Sequence, residues 1–217
     1  MIISWLGHSC FRLQEKIDGK DVTVIIDPFK PEYTGLKLPS NLTADIVAIT
    51  HQHEDHNFSQ AIEGKPFLID MAGEYEINGV AIDGVDSYHD DKHGNEKGGN
   101  IAYRIEMGGL VVTHLGDLGA LLEEKQLERL AGTDILLVPV GGHFTLDAKK
   151  AVEVINQIDP KMVIPMHYSL PGLNFELNPV ADFVKAIGLP PVEDSRLKIT
   201  RRDLDSENTQ LTILSIS

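Results

Sequence analysis

Four metal-competent side chains, His51, His53, Asp55 and His56, fall within the heptapeptide THQHEDH at positions 50–56. The residues before it, Asp45–Thr50 (DIVAIT), are apolar and β-branched, the pattern of a buried strand. The ligand-type side chains therefore sit where a strand runs out into a loop. Alternate residues of an extended chain share a face, so His51 and His53 point one way. Asp55 and His56 lie past the bend, able to turn toward a second point. Two imidazoles on one side, with a carboxylate and an imidazole on the other, suit two adjacent cations. A His-rich surface loop is the competing reading, and partners downstream weigh against it.

Those partners stand at the ends of other predicted strands. Asp27 ends the strand in IIDPF, His89 follows Ser87-Tyr88, Asp117 lies in THLGDLG and His167 in VIPMHY. Independent strands that each finish in a His or Asp imply one shared pocket at a common sheet edge.

The elements that must position them read as follows. Strands are expected at Ile2–Leu6, Cys10–Gln14, Val22–Asp27, Ile46–Thr50, Pro66–Asp70, near Glu74–Ile77, at Val80–Ser87, Asn100–Met107 and Leu110–His114. Pro28–Asn41 reads as an irregular crossover loop and Phe58–Glu63 as a short helix. The second half alternates. Helices at Leu121–Leu130, 148–158 and from Asn178-Pro179 to Ile187 separate strands at Asp134–Val140 and Met162–Pro165, and strands at Arg196–Thr200 and Gln210–Ile216 close the chain. Strands first, then strand–helix alternation, implies two packed sheets with helices outside.

The length of 217 residues suits one domain, 1–217. Lys and Arg total 19 against 33 Asp and Glu, a net charge of −14. Such a surface repels phosphate backbones, so no nucleic-acid partner is expected and a small-molecule substrate is favoured. No apolar run of membrane-spanning length occurs, and MIISWLGHSCFRL lacks the form of a secretory signal. A single cysteine, Cys10, excludes an internal disulfide framework. A cytoplasmic location, with no membrane partner, is the expectation.

The strand-ending Asp27, the HxHxDH cluster, the isolated His89, Gly116-Asp117 and the late His167 resemble, in order and over nearly the whole chain, the metallo-β-lactamase superfamily of metal-dependent hydrolases. The opening LGHS (Leu6–Ser9), the DPF and the PMHY resemble its small single-domain branch, which includes ascorbate-6-phosphate lactonase-like proteins. The resemblance implies an α/β (α+β) fold, a four-layer αββα sandwich with metals at one edge of two sheets. It implies that His51, His53 and His89 hold one metal, that Asp55, His56 and His167 hold a second, and that Asp117 bridges them. Asp27 would accept a hydrogen bond from a ligand histidine or its loop and fix its orientation.

Two divalent cations about 3.5–4 Å apart can hold a bridging water or hydroxide. Zinc-bound water has a pKa near ~7, against about 15.7 in bulk. The expectation is a metal-bound hydroxide attacking an ester, lactone, amide or phosphodiester, with Asp55 orienting it. No GxSxG occurs. Imidazole-rich ligation favours zinc, with manganese or iron open.

Of the remaining histidines, His114 is expected to buttress the loop of Asp117, with a satisfied core histidine as the competing reading. His8 is balanced between a hydrogen bond near the site and core packing, and His93 reads as solvated. His143, in Gly-Gly-His-Phe-Thr, is a candidate general acid or substrate contact. Tyr168 is balanced between an oxyanion donor and packing. The loops at 28–43, 89–99 and 168–178 are the expected pocket walls. Alternative functions are a nuclease or phosphodiesterase acting on nucleic acid, a non-heme diiron oxidoreductase, or a non-catalytic metal-dependent sensor.

Overall fold

The structure is a computed structural model that describes residues 1–204 and 208–217. The chain opens with an antiparallel meander, β1 (Ile2–Gly7), β2 (Cys10–Ile17) and β3 (Lys20–Ile26). A crossover holding the one-turn helix α1 (Pro31–Thr34) and β4 (Leu42–Thr43) leads to β5 (Ile46–Ala48). Then follow β6 (Ile62–Glu63) and β7 (Phe67–Ile69). Strands β3, β5 and β7 run parallel, and the sheet order is β15-β1-β2-β3-β5-β7, where β15 is Leu197–Lys198.

The second sheet begins as a meander of β8 (Gly73–Ile77), β9 (Val80–Tyr88), β10 (Gly99–Met107) and β11 (Leu110–His114). It continues in parallel fashion, with α2 (Glu124–Arg129) leading to β12 (Ile135–Pro139) and α3 (Ala148–Ile158) to β13 (Met162–Met166). Finally α4 (Val180–Ile187) precedes β14 (Pro191–Asp194), and β16 (Gln210–Leu214) inserts between β13 and β14. The expected switch from meander to strand–helix alternation is thus the switch from antiparallel to parallel pairing, because parallel neighbours need a crossover.

The sheets meet over a core that includes Trp5, Phe11, Leu13, Ile26, Tyr103, Ile105 and Val112, all buried. The Tyr103 hydroxyl crosses the interface and donates to Ile49 O at 2.9 Å. Helix α3 packs on β12 and α4, and α2 packs on β9. A separate cluster covers the first sheet's outer face, where Leu6, Ile25, Val47 and Ile49 meet Phe29, Leu36, Leu42 and Ile62. That outer layer is built from crossover segments, so the αββα sandwich is thin on this side.

One expectation needs correction, and one strand was missed. Phe58–Glu63 is not a helix but a single 3-10 turn, Ser59–Ala61, followed by β6. Six residues are too few to nucleate a stable helix, and Ile62–Glu63 pair with Leu42–Thr43 instead. Strand β14 was not legible in the sequence because PVED is exposed at every position and lacks alternation. Among the described residues no helix is long and apolar enough to cross a membrane.

Candidate metal centre

The candidate side chains gather at the C-terminal ends of β3, β5, β9, β11 and β13. Asp27 follows β3 with φ 48°, its N–H still pairing with Ala48 O at 3.0 Å. After β5 the chain bends, and His56 N and Asn57 N both donate to His53 O, at 2.9 and 3.1 Å. This turn folds Asp55 and His56 back beneath His51 and His53, the reversal anticipated from the heptapeptide. Between β1 and β2, Gly7 pairs with Cys10 across the two-residue turn His8-Ser9. His167 ends β13 with φ 51°, and its N–H donates to His8 O at 3.1 Å, joining the edges of the two sheets. Left-handed backbone at a non-glycine costs roughly 1–2 kcal/mol per residue, strain that tends to collect at functional sites.

Three close approaches of backbone require glycine. A Cβ on Gly116 would lie 2.3 Å from Asn100 Oδ1, one on Gly119 2.2 Å from His89 O, and one on Gly141 2.1 Å from His167 O. Asn100, which the sequence did not single out, holds the Asp117 loop. It accepts from Asp117 N at 2.9 Å and donates to Leu115 O at 2.9 Å.

The nitrogens and oxygens form overlapping groups. His51, His53 and His89 place ligand atoms within 4.8 Å of one another, as do His8, Asp55, His56 and His167, and also His51, His56 and Asp117. The Asp117 carboxylate spans them. Its Oδ2 lies 3.2 Å from His89 Nε2 and 3.3 Å from His167 Nε2, while Oδ1 lies 3.2 Å from His56 Nε2. The seven ligand candidates named from the sequence are therefore brought together, and His8 joins the group of Asp55.

One carboxylate sets two tautomers. Asp27 Oδ1 accepts from Thr50 N at 2.8 Å, and Oδ2 accepts from the Thr50 hydroxyl at 2.7 Å and from His56 Nδ1 at 2.8 Å. The Thr50 hydroxyl proton being committed to Asp27, its oxygen accepts from His51 Nδ1 at 3.0 Å. His51 then presents an Nε2 lone pair toward Asp117, and His56 Nε2 faces Asp117 Oδ1. On the other side, His8 Nε2 donates to Asp55 Oδ2 at 3.1 Å.

The charge states fit that arrangement. Burial lowers the His51 pKa to about 3, with His56 adding to the effect, so His51 is neutral. Burial, then His167, lowers His8 to about 4. Burial would lower His56 too, but Asp117, Asp27 and Asp55 overcome it and raise its pKa well above the usual value. Burial pushes Asp117 up, yet His167 and His56 hold it well below the usual carboxylate range.

These residues fit divalent cations. Asp27, Asp55 and Asp117 are three buried carboxylates in one cluster. His51 Nε2, His56 Nε2 and Asp117 Oδ1 are buried without a hydrogen bond of good geometry. Buried polar atoms are ordinarily satisfied. Ligand-type nitrogen and oxygen atoms left without partners beside excess negative charge are what a cation would occupy, displacing the His56 proton.

Above the cluster opens a cavity of about 510 Å³, whose walls include Tyr33, Lys97, Phe144 and Phe175 besides the ligand candidates. The loops expected as walls thus contribute, joined by 141–147 through Phe144. His143 itself is exposed and lies outside the cavity lining; its carbonyl, with that of Phe144, accepts from Lys97 Nζ at 3.1 and 3.0 Å. Tyr168 is buried and packs on Trp5, ring centroids 5.1 Å apart. His114 Nε2 donates to Ser9 O at 2.8 Å and its Nδ1 accepts from Gly116 N at 3.0 Å, which buttresses the turn before Asp117. His93 is exposed beside Glu123.

Two facing sheets with His and Asp side chains converging at one edge define a metal-binding αββα protein. The family model for the beta-lactamase superfamily domain matches residues 2–167, and the chain belongs to the metallo-β-lactamase superfamily. A metal-dependent hydrolase of Staphylothermus marinus is 34% identical over 197 residues, 77% of this chain and 83% of that one. A metal-dependent hydrolase of Carboxydothermus hydrogenoformans is 27% identical over 217 residues, 87% of this chain and 94% of that one. A solved structure from Thermotoga maritima, assigned to the Zn-dependent hydrolases of the metallo-β-lactamase superfamily, is 37% identical with a TM-score of 0.77, covering 99% of each chain.

Proposed function

We propose that the protein is a dinuclear metal-dependent hydrolase of a small substrate carrying an ester, lactone or phosphodiester bond. The observation that carries this reading is Asp117, whose two oxygens face histidines of both candidate groups. His51, His53 and His89 would hold one cation, Asp55, His56 and His167 the other, and Asp117 both. Zinc is the proposed metal, in keeping with the imidazole-rich donors and with the Zn-dependent relative. When bound, the cations supply Lewis acidity, which lowers the pKa of water to give a hydroxide nucleophile and polarises the scissile oxygen. Asp27 and Thr50 keep His51 and His56 in the tautomer that offers Nε2. His8 holds the orientation of Asp55.

The test is metal analysis together with turnover of lactone, ester and phosphodiester reporters. About two metal ions per chain and turnover abolished in Asp117→Ala and Asp55→Ala support the reading. One ion per chain, or turnover that persists in both variants, overturns it.

A further inference from the structure

Three aromatic side chains from three separate loops converge at the cavity mouth. Tyr33 and Phe175 have ring centroids 6.0 Å apart, and Phe144 and Phe175 6.4 Å. These separations are those of interacting aromatic pairs. Phe144 is 46% exposed and Tyr33 45%. The trio is continuous with the metal centre, because Phe175 also meets the His8 ring at 5.5 Å, and the tilted His8 and His167 rings have centroids 4.3 Å apart. The apolar wall therefore stands on the side of Asp55, His56 and His167.

The charges at the mouth are largely paired with one another. Glu54 and Glu96 line the cavity, Glu54 paired with Lys30 and Glu96 with Lys92, and Lys97 is the one lysine or arginine among the lining residues. Lys97 is already engaged, its Nζ donating to two carbonyls and lying 5.5 Å from the Phe144 ring centroid. It acts as a clasp between the loops at 89–99 and 141–147. The carboxylates at the mouth are thus paired with lysines, and the three aromatic rings supply its apolar surface.

Building on the hydrolase reading, we infer that Tyr33, Phe144 and Phe175 form a substrate subsite for an uncharged apolar group, aryl or bulky acyl, attached next to the scissile bond. Aromatic faces supply the contact area for such a group, while the polar and metal-binding atoms remain for the bond to be cleaved.

The test compares three γ-butyrolactones on the metal-loaded protein: unsubstituted, γ-phenyl, and one bearing a phosphorylated hydroxymethyl group. The phenyl lactone should exceed the others in kcat/KM by at least about tenfold, the order expected for burying a phenyl ring. Phe144→Ala should erase that preference, lowering kcat/KM for the phenyl lactone by about tenfold more than for the unsubstituted one. Phe144→Trp should retain it. No phenyl preference, or equal loss on all lactones, overturns the subsite. A second arm needs no turnover. Neutral phenylacetamide titrated into metal-free protein should shift the backbone amide NMR signals of Tyr33, Phe144 and Phe175, and Phe144→Ala should weaken that binding. Tighter binding of phenyl phosphate, or no shift at these residues, also overturns it. Loss of all turnover with phenylacetamide binding intact would count against the hydrolase reading and for the subsite.

Discussion

His56 Nδ1 donates to Asp27 Oδ2 at 2.8 Å, inside a pocket where both side chains are wholly buried. The same oxygen takes the Thr50 hydroxyl, and through it orients His51. One carboxylate at the end of β3 thus governs an imidazole from each candidate cation group. Removing it should act on both groups together. Asp27→Asn keeps the size but exchanges an acceptor oxygen for an amide donor facing the His56 N–H. Metal affinity should fall by about 10–100-fold at both sites, as measured by competition with a chelator. Unchanged affinity would mean that the tautomers are set by other contacts.

Metal uptake should also release protons. Desolvation opposes a charge on His56, but Asp117, Asp27 and Asp55 outweigh it and lift its pKa well above the usual value. Near neutral pH the metal-free chain then carries a proton on His56 Nε2 that a cation must displace. The sign follows directly: raising pH removes the competitor and strengthens binding, and lowering pH weakens it. His51, neutral down to about pH 3, contributes no proton. Calorimetric titrations in buffers of different ionisation enthalpy should show net proton release near pH 7. A buffer-independent heat would contradict the assignment.

Much of this arrangement was legible in the residues. THQHEDH showed the ligand set and the turn that carries Asp55 and His56 away, but His51 and His53 sit in bends beyond β5, so it is not strand alternation that sets them side by side. The strand ends at Asp27, His89, Asp117 and His167 pointed to one edge, because parallel strands share the direction of their C-termini. What escaped was set by tertiary contact. Asn100 opens an ordinary strand, and only folding shows its amide gripping the loop of Asp117. His8 could not be placed until the β1–β2 turn was seen against β13. The register of Phe144 against His143 was also hidden, since a left-handed residue at His143, φ 55°, reverses the expected facing.

That reversal separates two neighbours experimentally. His143 was a candidate general acid, yet its side chain is exposed and its neighbour Phe144 lines the cavity. His143→Asn tolerates the left-handed backbone and should leave kcat within about twofold, against the 10²–10⁴-fold that general acid catalysis typically contributes. A hundredfold loss with unchanged metal content would restore the catalytic role.

A buried hydroxyl also links the two sheets. Tyr103 on β10 donates to Ile49 O at 2.9 Å, just beyond β5 and next to the heptapeptide. Tyr103→Phe preserves the ring packing but leaves that carbonyl without this donor. Stability should drop by about 1–3 kcal/mol in chemical denaturation. Because Ile49 precedes Thr50, hydrogen exchange should quicken in residues 49–56 more than in β12 or β13. A uniform change across both sheets would indicate simple loss of packing.

His8 offers the sharpest separation of roles within the centre. It is wholly buried, its Nε2 lies 3.1 Å from Asp55 Oδ2, and it belongs to the same ligand-competent group as Asp55, His56 and His167. Burial and the nearby His167 keep it neutral, so a single ring proton is available and Asp55 receives it. On this geometry His8 positions Asp55 and does not itself ligate. His8→Asn accepts the φ of 53° but is too short to reach Asp55. It should weaken one of two metal sites by about 10–100-fold and spare the site of His51, His53 and His89. His8→Gln, long enough to donate an amide N–H, should recover most of the affinity. Failure of glutamine to rescue, with metal lost from both variants alike, would make His8 a ligand in its own right.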